Sequence, residues 1–290
     1  MSRRLQRIRR IPAARLFPLL LLVAAFSAVM PGAVRAAEAR SPITVSVEGE
    51  VLRPGSYTLP GNATLSSLIL AAGGFTDNAD LRAAALTRNA ARASQEAELR
   101  SMAASVAAKA GPSDPVRKVA DTVRDLLEAA HASGRIPVKV DYPRLLKNSP
   151  HDIALEEGDV LRVPAVTDVV AVIGAVRTPS DHLPFAPGQP YDEYLRKAGG
   201  YADDADRKQV FLLRADGSTA LLSLGFIAWN AAASRWEVTA LTGGPPAVAP
   251  GDTIVVPRSL PPGLPETFAR QLPGLLMRAT QIAGAPVILP

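Results

Sequence analysis

The side chains that most often carry out acid–base, nucleophilic or metal chemistry are few and scattered in this sequence. The three histidines are His131, His151 and His182. None of them lies at a metal-binding spacing such as His-x-x-x-His, and the sequence has no Gly-x-Ser-x-Gly elbow and no phosphate-binding glycine loop. Cysteine is absent, which excludes a thiolate nucleophile, a thiolate metal site and a disulfide. We therefore predict no catalytic residue, no metal site and no cofactor.

Acidic residues are clustered at three places where the chain is expected to turn. Two clusters follow Gly-Gly pairs and one precedes a predicted strand; their members are Asp77 and Asp80, then Asp203, Asp204 and Asp206, and finally Glu156, Glu157 and Asp159. The two clusters after the Gly-Gly pairs lack the glycine and the distal glutamate of a calcium-binding loop, so we interpret them as solvated turns. The third cluster precedes a predicted strand, and we interpret it in the same way. A glycan-processing enzyme is the alternative, and it would need two of these carboxyl groups roughly 5 to 10 Å apart across one cleft.

Five side chains are candidates for binding rather than catalysis. Trp229 and Trp236 offer aromatic faces of the kind that sugar rings pack against. Arg88, Arg92 and Gln95 continue the apolar stripe of a predicted helix, so these polar groups lie in line with a buried face and could point into a cleft. Burial of the tryptophans in a core, and extension of the polar side chains into solvent, are the competing interpretations.

One short pattern occurs twice in the chain. It consists of Val-x-Gly-x-Val, a proline three residues later, and then Ala-Gly-Gly followed by an aromatic residue; the copies are 47–51 with 72–75, and 172–176 with 198–201. The valine-rich run ending in a turn predicts a β-hairpin, and apolar residues at i, i+3, i+4 and i+7 before each Gly-Gly pair predict a short helix. Each copy also closes with a Gly-Asp turn before a last strand, at residues 158–159 and 251–252. We therefore expect two copies of one small module.

The copies differ in length, and the difference defines the predicted domains. From the Gly-Gly pair to the Gly-Asp turn, copy one takes 84 residues and copy two takes 51. The surplus contains two helix-forming stretches, which predict an inserted helical hairpin that packs on the sheet of its own module. A C-terminal amphipathic helix is also predicted, with Pro273-Gly274 kinking or splitting it. The predicted fold class is α+β with two tandem β-grasp domains, and the predicted boundaries are 41–165 for domain one with its insert at about 90–133, 166–258 for domain two, and 264–285 for the C-terminal helix.

The first 36 residues have the composition of an export signal. They contain seven arginines, no acidic residue and an apolar run from Leu16 to Met30 that is followed by small residues. We predict a signal peptide over residues 1–36 and a periplasmic product without an N-terminal lipid, because cysteine is absent; an uncleaved N-terminal anchor is the alternative. Without that segment, 25 basic residues face 27 acidic ones, so the positive surface of a nucleic-acid-binding protein is not expected.

The repeated pattern resembles the SLBB (soluble-ligand-binding β-grasp) module of polysaccharide export proteins, although Ser180 stands in copy two where copy one has the glycine of its Pro-Gly turn. Tandem modules, a hairpin inserted in the first, an export signal and a C-terminal amphipathic helix are together similar to the GfcC-like capsule biosynthesis family. The resemblance implies a non-enzymatic accessory protein in capsule or exopolysaccharide biosynthesis or export, which binds polysaccharide or proteins of the outer-membrane export machinery. In the channel relatives a C-terminal amphipathic helix joins others in an outer-membrane pore. The Pro273-Gly274 break predicts instead that this helix docks on the protein's own body, on a partner, or peripherally on a membrane. A nucleic-acid receptor is a further alternative, because related β-grasp modules occur in DNA-uptake proteins.

Overall fold

The computed structural model describes residues 41–109, 114–222, 227–230, 235–238, 245–262 and 264–289, so the predicted signal peptide lies outside the described residues. The elements of the first module are β1 (Ile43–Gly49), β2 (Gly55–Leu59), α1 (Leu65–Ala71), β3 (Ala85–Thr87), α2 (Asn89–Lys109), α3 (Asp114–Ala129), β4 (Arg135–Ile136), α4 (Pro143–Leu146) and β5 (Val160–Val163). Those of the second module are β6 (Val169–Gly174), β7 (Ser180–Pro184), α5 (Tyr191–Lys197), β8 (Phe211–Leu213), β9 (Thr219–Leu221), β10 (Ile227–Asn230), β11 (Arg235–Val238) and β12 (Thr253–Val256). One long helix follows them, α6 (Glu266–Ala283).

The two modules have the same sheet topology. The strand order is β2-β1-β5-β3-β4 in the first sheet and β7-β6-β12-β8-β9 in the second. In each sheet the central pair is parallel, β1 with β5 and β6 with β12, and the outer pairs are antiparallel. The matching sheets, each with a short helix packed on it, confirm the predicted α+β fold of two tandem domains.

The short helix of each module forms where the apolar spacing predicts it. Thr64 is the N-cap residue of α1, and Gly73 ends the helix with a φ of +85°, a left-handed backbone that favours glycine. The apolar stripe of α1, made of Leu65, Leu68 and Ile69, is fully buried in the core of the first module. In the corresponding stripe of α5, Tyr194 and Leu195 are buried in the core of the second module and Tyr191 is partly buried against it. Local sequence and tertiary packing therefore agree at both helices.

The helical insert takes the place of a tight turn. In the second module, residues 214–218 join β8 to β9. In the first module, the hairpin of α2 and α3 lies between the equivalent strands β3 and β4. These strands nevertheless remain paired, with Leu86 opposite Ile136 as Leu212 lies opposite Ala220 in the second module. The insertion therefore lengthens one connection and leaves the sheet intact.

The insert packs on α6, so our prediction that it covers the sheet of its own module is wrong. One buried cluster joins the three helices; its members include Leu99, Ala103, Val106, Val123 and Leu127 from the insert, and Phe268, Leu272, Leu276, Ala279 and Ile282 from α6. Through Met277, α6 also contacts the second sheet at Phe211, Leu213 and Val255. Three amphipathic helices close one core that none of them could close alone. The C-terminal helix thus docks on the protein's own body.

The helix α6 is uninterrupted from Glu266 to Ala283, although Pro273 lies inside it. An internal proline removes one backbone hydrogen bond and crowds the preceding turn, at a cost of about 3 kcal/mol. The predicted split does not occur, because the residues on both sides of the proline, Leu272 (1% exposed) and Leu276 (7% exposed), are buried in the same cluster. None of the described helices has the length and hydropathy needed to cross a lipid bilayer.

An ion pair at the surface connects the insert to α6. The Arg278 guanidinium donates to both carboxylate oxygens of Glu98, at 2.7 and 2.9 Å. These bonds lower the pKa of Glu98 below its ordinary value of 4.5. A carboxylate with a depressed pKa stabilises the fold above its ordinary pKa, and that contribution is lost as the pH falls below it.

We expect Glu98→Gln to lower the free energy of unfolding at pH 7 by no more than about 1 kcal/mol, because the two side chains are 40% and 50% exposed. The difference from the wild type should shrink as the pH falls below 4.5, where Glu98 itself becomes protonated. Urea unfolding at several pH values would measure both effects, with Glu96→Gln on the exposed surface of the same helix as the control. A loss that is equal at all pH values would contradict this prediction.

Candidate functional site

A polar groove of about 570 Å³ lies where the two modules meet. Its walls come from β4 of the first module, the β8–β9 turn of the second module, and the helices α2 and α6. The hydrogen-bonding side chains that line it include Gln95, Arg135, Lys139, His151, Asp216 and Gln281. Arg278 also borders the groove, but Glu98 neutralises it. The lining therefore combines these polar groups with apolar residues such as Ile136 and Val138, and it carries more basic than acidic groups.

Arg135 connects the groove to the second module. Its Nη2 donates to the carbonyl oxygens of Ala215 (3.0 Å) and Ala83 (3.4 Å). A β-carbon at Gly217 would lie 3.1 Å from Nη1, so glycine leaves the guanidinium room at this turn. Among the described residues, no carboxylate lies within 4.0 Å of the guanidinium. Burial lowers the pKa of Arg135, and the charge of Asp216 opposes this only in part.

The same arginine borders a second cavity, of about 290 Å³. Arg162 and Asp80 also line this cavity, but each has a partner. Arg162 lies 3.6 Å from Glu48, and the Asp80 carboxylate accepts from Arg82 at 3.1 Å. Arg135 is thus the side chain that the two cavities share, and its charge faces both of them.

Gln95 is the predicted binding residue that lines the groove. Its Nε2 donates to the Arg135 carbonyl oxygen at 2.8 Å, and its Oε1 accepts from the Gly134 amide at 2.9 Å. Both bonds hold the backbone at the start of β4. Gln95 therefore positions Arg135, in addition to presenting its amide to the groove.

Arg88 and Arg92 do not line the groove. Arg88 lies one residue before α2 rather than on it, and it donates from Nε and Nη2 to the two carboxylate oxygens of Asp159, at 3.0 and 2.7 Å. Its Nη1 donates to Glu156 at 2.7 Å, and the bonds to Asp159 raise the pKa of Arg88. Arg92 is exposed and donates to the Ser133 carbonyl oxygen at 3.5 Å. The contacts of Arg88 therefore hold the fold together.

Trp229 and Trp236 are register partners in the two-stranded ribbon of β10 and β11. Their side chains lie outside the described part of the structure. Their part in sugar binding therefore stays a prediction.

Two acids that we interpreted as parts of solvated turns are buried, since Asp80 is 4% exposed and Asp159 is 0% exposed. The Asp159 carboxylate accepts from the Glu156 amide at 2.9 Å, and its counterpart Asp252 accepts from the Ala249 amide at 2.9 Å. Asp159 and Asp252 cap the turn before the last strand of each module, and Asp80 accepts from Arg82 at 3.1 Å. The solvated interpretation is therefore wrong for Asp80 and Asp159. Within the described residues, no three histidine or acidic side chains come together to hold a metal ion.

Comparison with known domains agrees with the duplicated topology. The SLBB domain profile matches residues 44–97 and 169–222. One segment in each module thus matches the SLBB domain. This domain type occurs in polysaccharide export proteins. Comparison with the curated proteins returned no match.

The charged residues of the groove that the sequence patterns did not single out include Arg135 and Asp216. A signal for them exists, because Arg88 and Arg214 each follow a Gly-Gly pair by fourteen residues. If the two copies are aligned on these arginines, each arginine directly follows the equivalent strand of its module, β3 or β8. The turn or insert that follows each strand then leads to the groove wall.

Proposed function

We propose that this tandem SLBB protein is a non-enzymatic accessory protein of capsule or exopolysaccharide biosynthesis or export, and that it holds a polysaccharide chain in the groove between its modules. The observation that carries the proposal is the groove itself, a cavity of about 570 Å³ lined by amide, hydroxyl and charged side chains. Ligand sites fix orientation and specificity with a small number of such polar groups. The occurrence of SLBB domains in polysaccharide export proteins favours a glycan as the ligand.

The distribution of carboxylates favours binding over glycan processing. Glycosidases use two carboxyl groups on either side of the scissile bond. In the described lining of the groove, Asp216 is the one carboxylate. Asp80, Asp159 and Asp252 are buried and accept hydrogen bonds from arginines or from backbone amides, so they serve the fold.

The cellular setting that we propose is the periplasm. The support is the predicted signal peptide at residues 1–36 together with the absence of cysteine, which removes the N-terminal lipid anchor. Proteins of the outer-membrane export machinery are the second proposed class of partner. The near balance of charge after residue 36 argues against nucleic acid as a ligand.

Deleting the gene should change the amount, the chain length or the attachment of the surface polysaccharide, as measured by gel electrophoresis of the extracted polymer. Wild-type protein should restore the polymer, and Lys139→Ala in the groove should restore it less well. Lys147→Ala removes an equally exposed lysine outside the groove lining and is the matched control. An unchanged polysaccharide in the deletion strain would count heavily against the proposal. Capture of periplasmic partners by the purified protein would separate glycan binding from protein binding.

A further inference from the structure

We propose that Arg135 is an anion subsite within this groove, which binds the carboxylate of an acidic sugar residue. The inference rests on the proposed function and deepens it, because it names the class of polysaccharide. Neutral glycans would make the same contacts to the amide groups of the groove but would leave the guanidinium without a charged partner.

The geometry of the guanidinium supports an external anion. Two backbone carbonyls take the hydrogens of Nη2, and within the described residues Nε and Nη1 donate to no protein acceptor. Arg135 lines both the groove and the second cavity, which give a ligand a path to its side chain. An ionised carboxylate is an acceptor with about four lone-pair sites, and its bonds to a guanidinium are about twice as strong as bonds between neutral groups.

The surroundings of Arg135 add to its preference for an anion. Lys139 and His151 lie in the same groove, and both are exposed. Arg278 contributes little charge because Glu98 pairs with it. Asp216 is the opposing group: it lines the groove, and its charge acts on Arg135 without an ion pair between them.

Burial strengthens the interaction that the subsite can make. Burial lowers the pKa of Arg135, so its charge has lost part of its hydration in the free protein. The carbonyl oxygens of Ala83 and Ala215 hold the guanidinium in place. Folding has thus already desolvated and ordered part of the arginine side chain, which lowers the free-energy cost of binding a ligand.

The test compares hexagalacturonate with its methyl ester, which has the same backbone without the charges. In calorimetric titrations of the purified protein, we expect the acid to bind at least roughly 10-fold more tightly than the ester. Arg135→Gln should weaken binding of the acid by roughly 10- to 100-fold, which is the loss of a hydrogen-bonded charged partner. It should change binding of the ester by less than about twofold.

Three further variants control the experiment. Arg177→Gln removes the same charge from the exposed surface of the second module and should change nothing. Asp216→Asn should strengthen binding of the acid several-fold, because it removes the opposing charge. Arg135→Lys should retain part of the preference for the acid. Urea unfolding of Arg135→Gln checks that the modules remain folded.

The outcomes distinguish the two proposals. Equal affinity for the acid and the ester, or an equal loss of both in Arg135→Gln, would overturn the anion subsite and leave the proposed glycan binding standing. Competition by inorganic phosphate at the same concentration as hexagalacturonate would overturn the assignment to sugar carboxylates. Binding of neither form would overturn both proposals.

Discussion

Gly49→Ala should unfold the first module, or destabilise it by more than about 4 kcal/mol, which is exceptional for a single substitution. The β-carbon of an alanine would lie 2.0 Å from the Val163 carbonyl oxygen on the neighbouring strand β5. Neither group can move away, because both belong to the paired backbone at the centre of the sheet. Gly174 has the same relation to Val256 in the second module, at 2.1 Å, so Gly174→Ala should have the same effect there.

The matched controls are Gly74→Ala and Gly200→Ala. These glycines also have positive φ, +95° and +80°, but a β-carbon at either would meet nothing within 4 Å. They should cost only the backbone strain of about 1 to 2 kcal/mol. Urea unfolding of the four variants separates the steric clash of the β-carbon from the backbone strain at positive φ. If Gly49→Ala and Gly74→Ala were equally stable, backbone strain alone would explain the loss.

Arg88→Met should lower the free energy of unfolding at pH 7 by about 3 to 5 kcal/mol, the cost of removing one partner from a buried ion pair. Methionine keeps most of the volume of the side chain but leaves the Asp159 carboxylate, which is 0% exposed, without its guanidinium. Urea unfolding at pH 7 measures this loss.

The second module supplies the comparison for this prediction. Arg214 reaches Asp252 with one nitrogen at 3.4 Å, and burial raises the pKa of Asp252 despite this contact. Arg214→Met should thus cost less than Arg88→Met, by about 2 kcal/mol or more. Guanidinium chloride is unsuitable for the measurement because it screens ion pairs, so urea is the denaturant of choice. Equal losses in the two variants would contradict the assignment of a strong pair at Asp159.

The local parts of the fold were predictable because they depend on neighbouring residues. The stripe of Leu65, Leu68 and Ile69 and the glycine at residue 73 specify a short helix and its end within nine residues of chain. The second copy repeats these features, which excludes coincidence as their explanation. The spacing of apolar residues and the turn-forming residues are therefore enough to predict the hairpins, the short helices and the duplicated architecture.

The parts that sequence reasoning missed depend on contacts between distant residues. Leu99 and Leu272 lie in one buried cluster, but the sequence of either segment does not indicate that it packs against the other. Pro273 by itself predicts a break in the helix, whereas packing of its neighbours against α2 and α3 keeps α6 continuous. A Gly-Asp turn is usually exposed, whereas here Arg88 covers Asp159. Arg135 gains its position in the same way, since its partners Ala83 and Ala215 belong to different modules.

The separation of the insert and α6 along the chain has a consequence for biogenesis. The insert is synthesised long before the helix that covers it, so the apolar sides of α2 and α3 stay uncovered until α6 has been made. A product terminated before α6 would keep this surface open to quality-control proteases and chaperones.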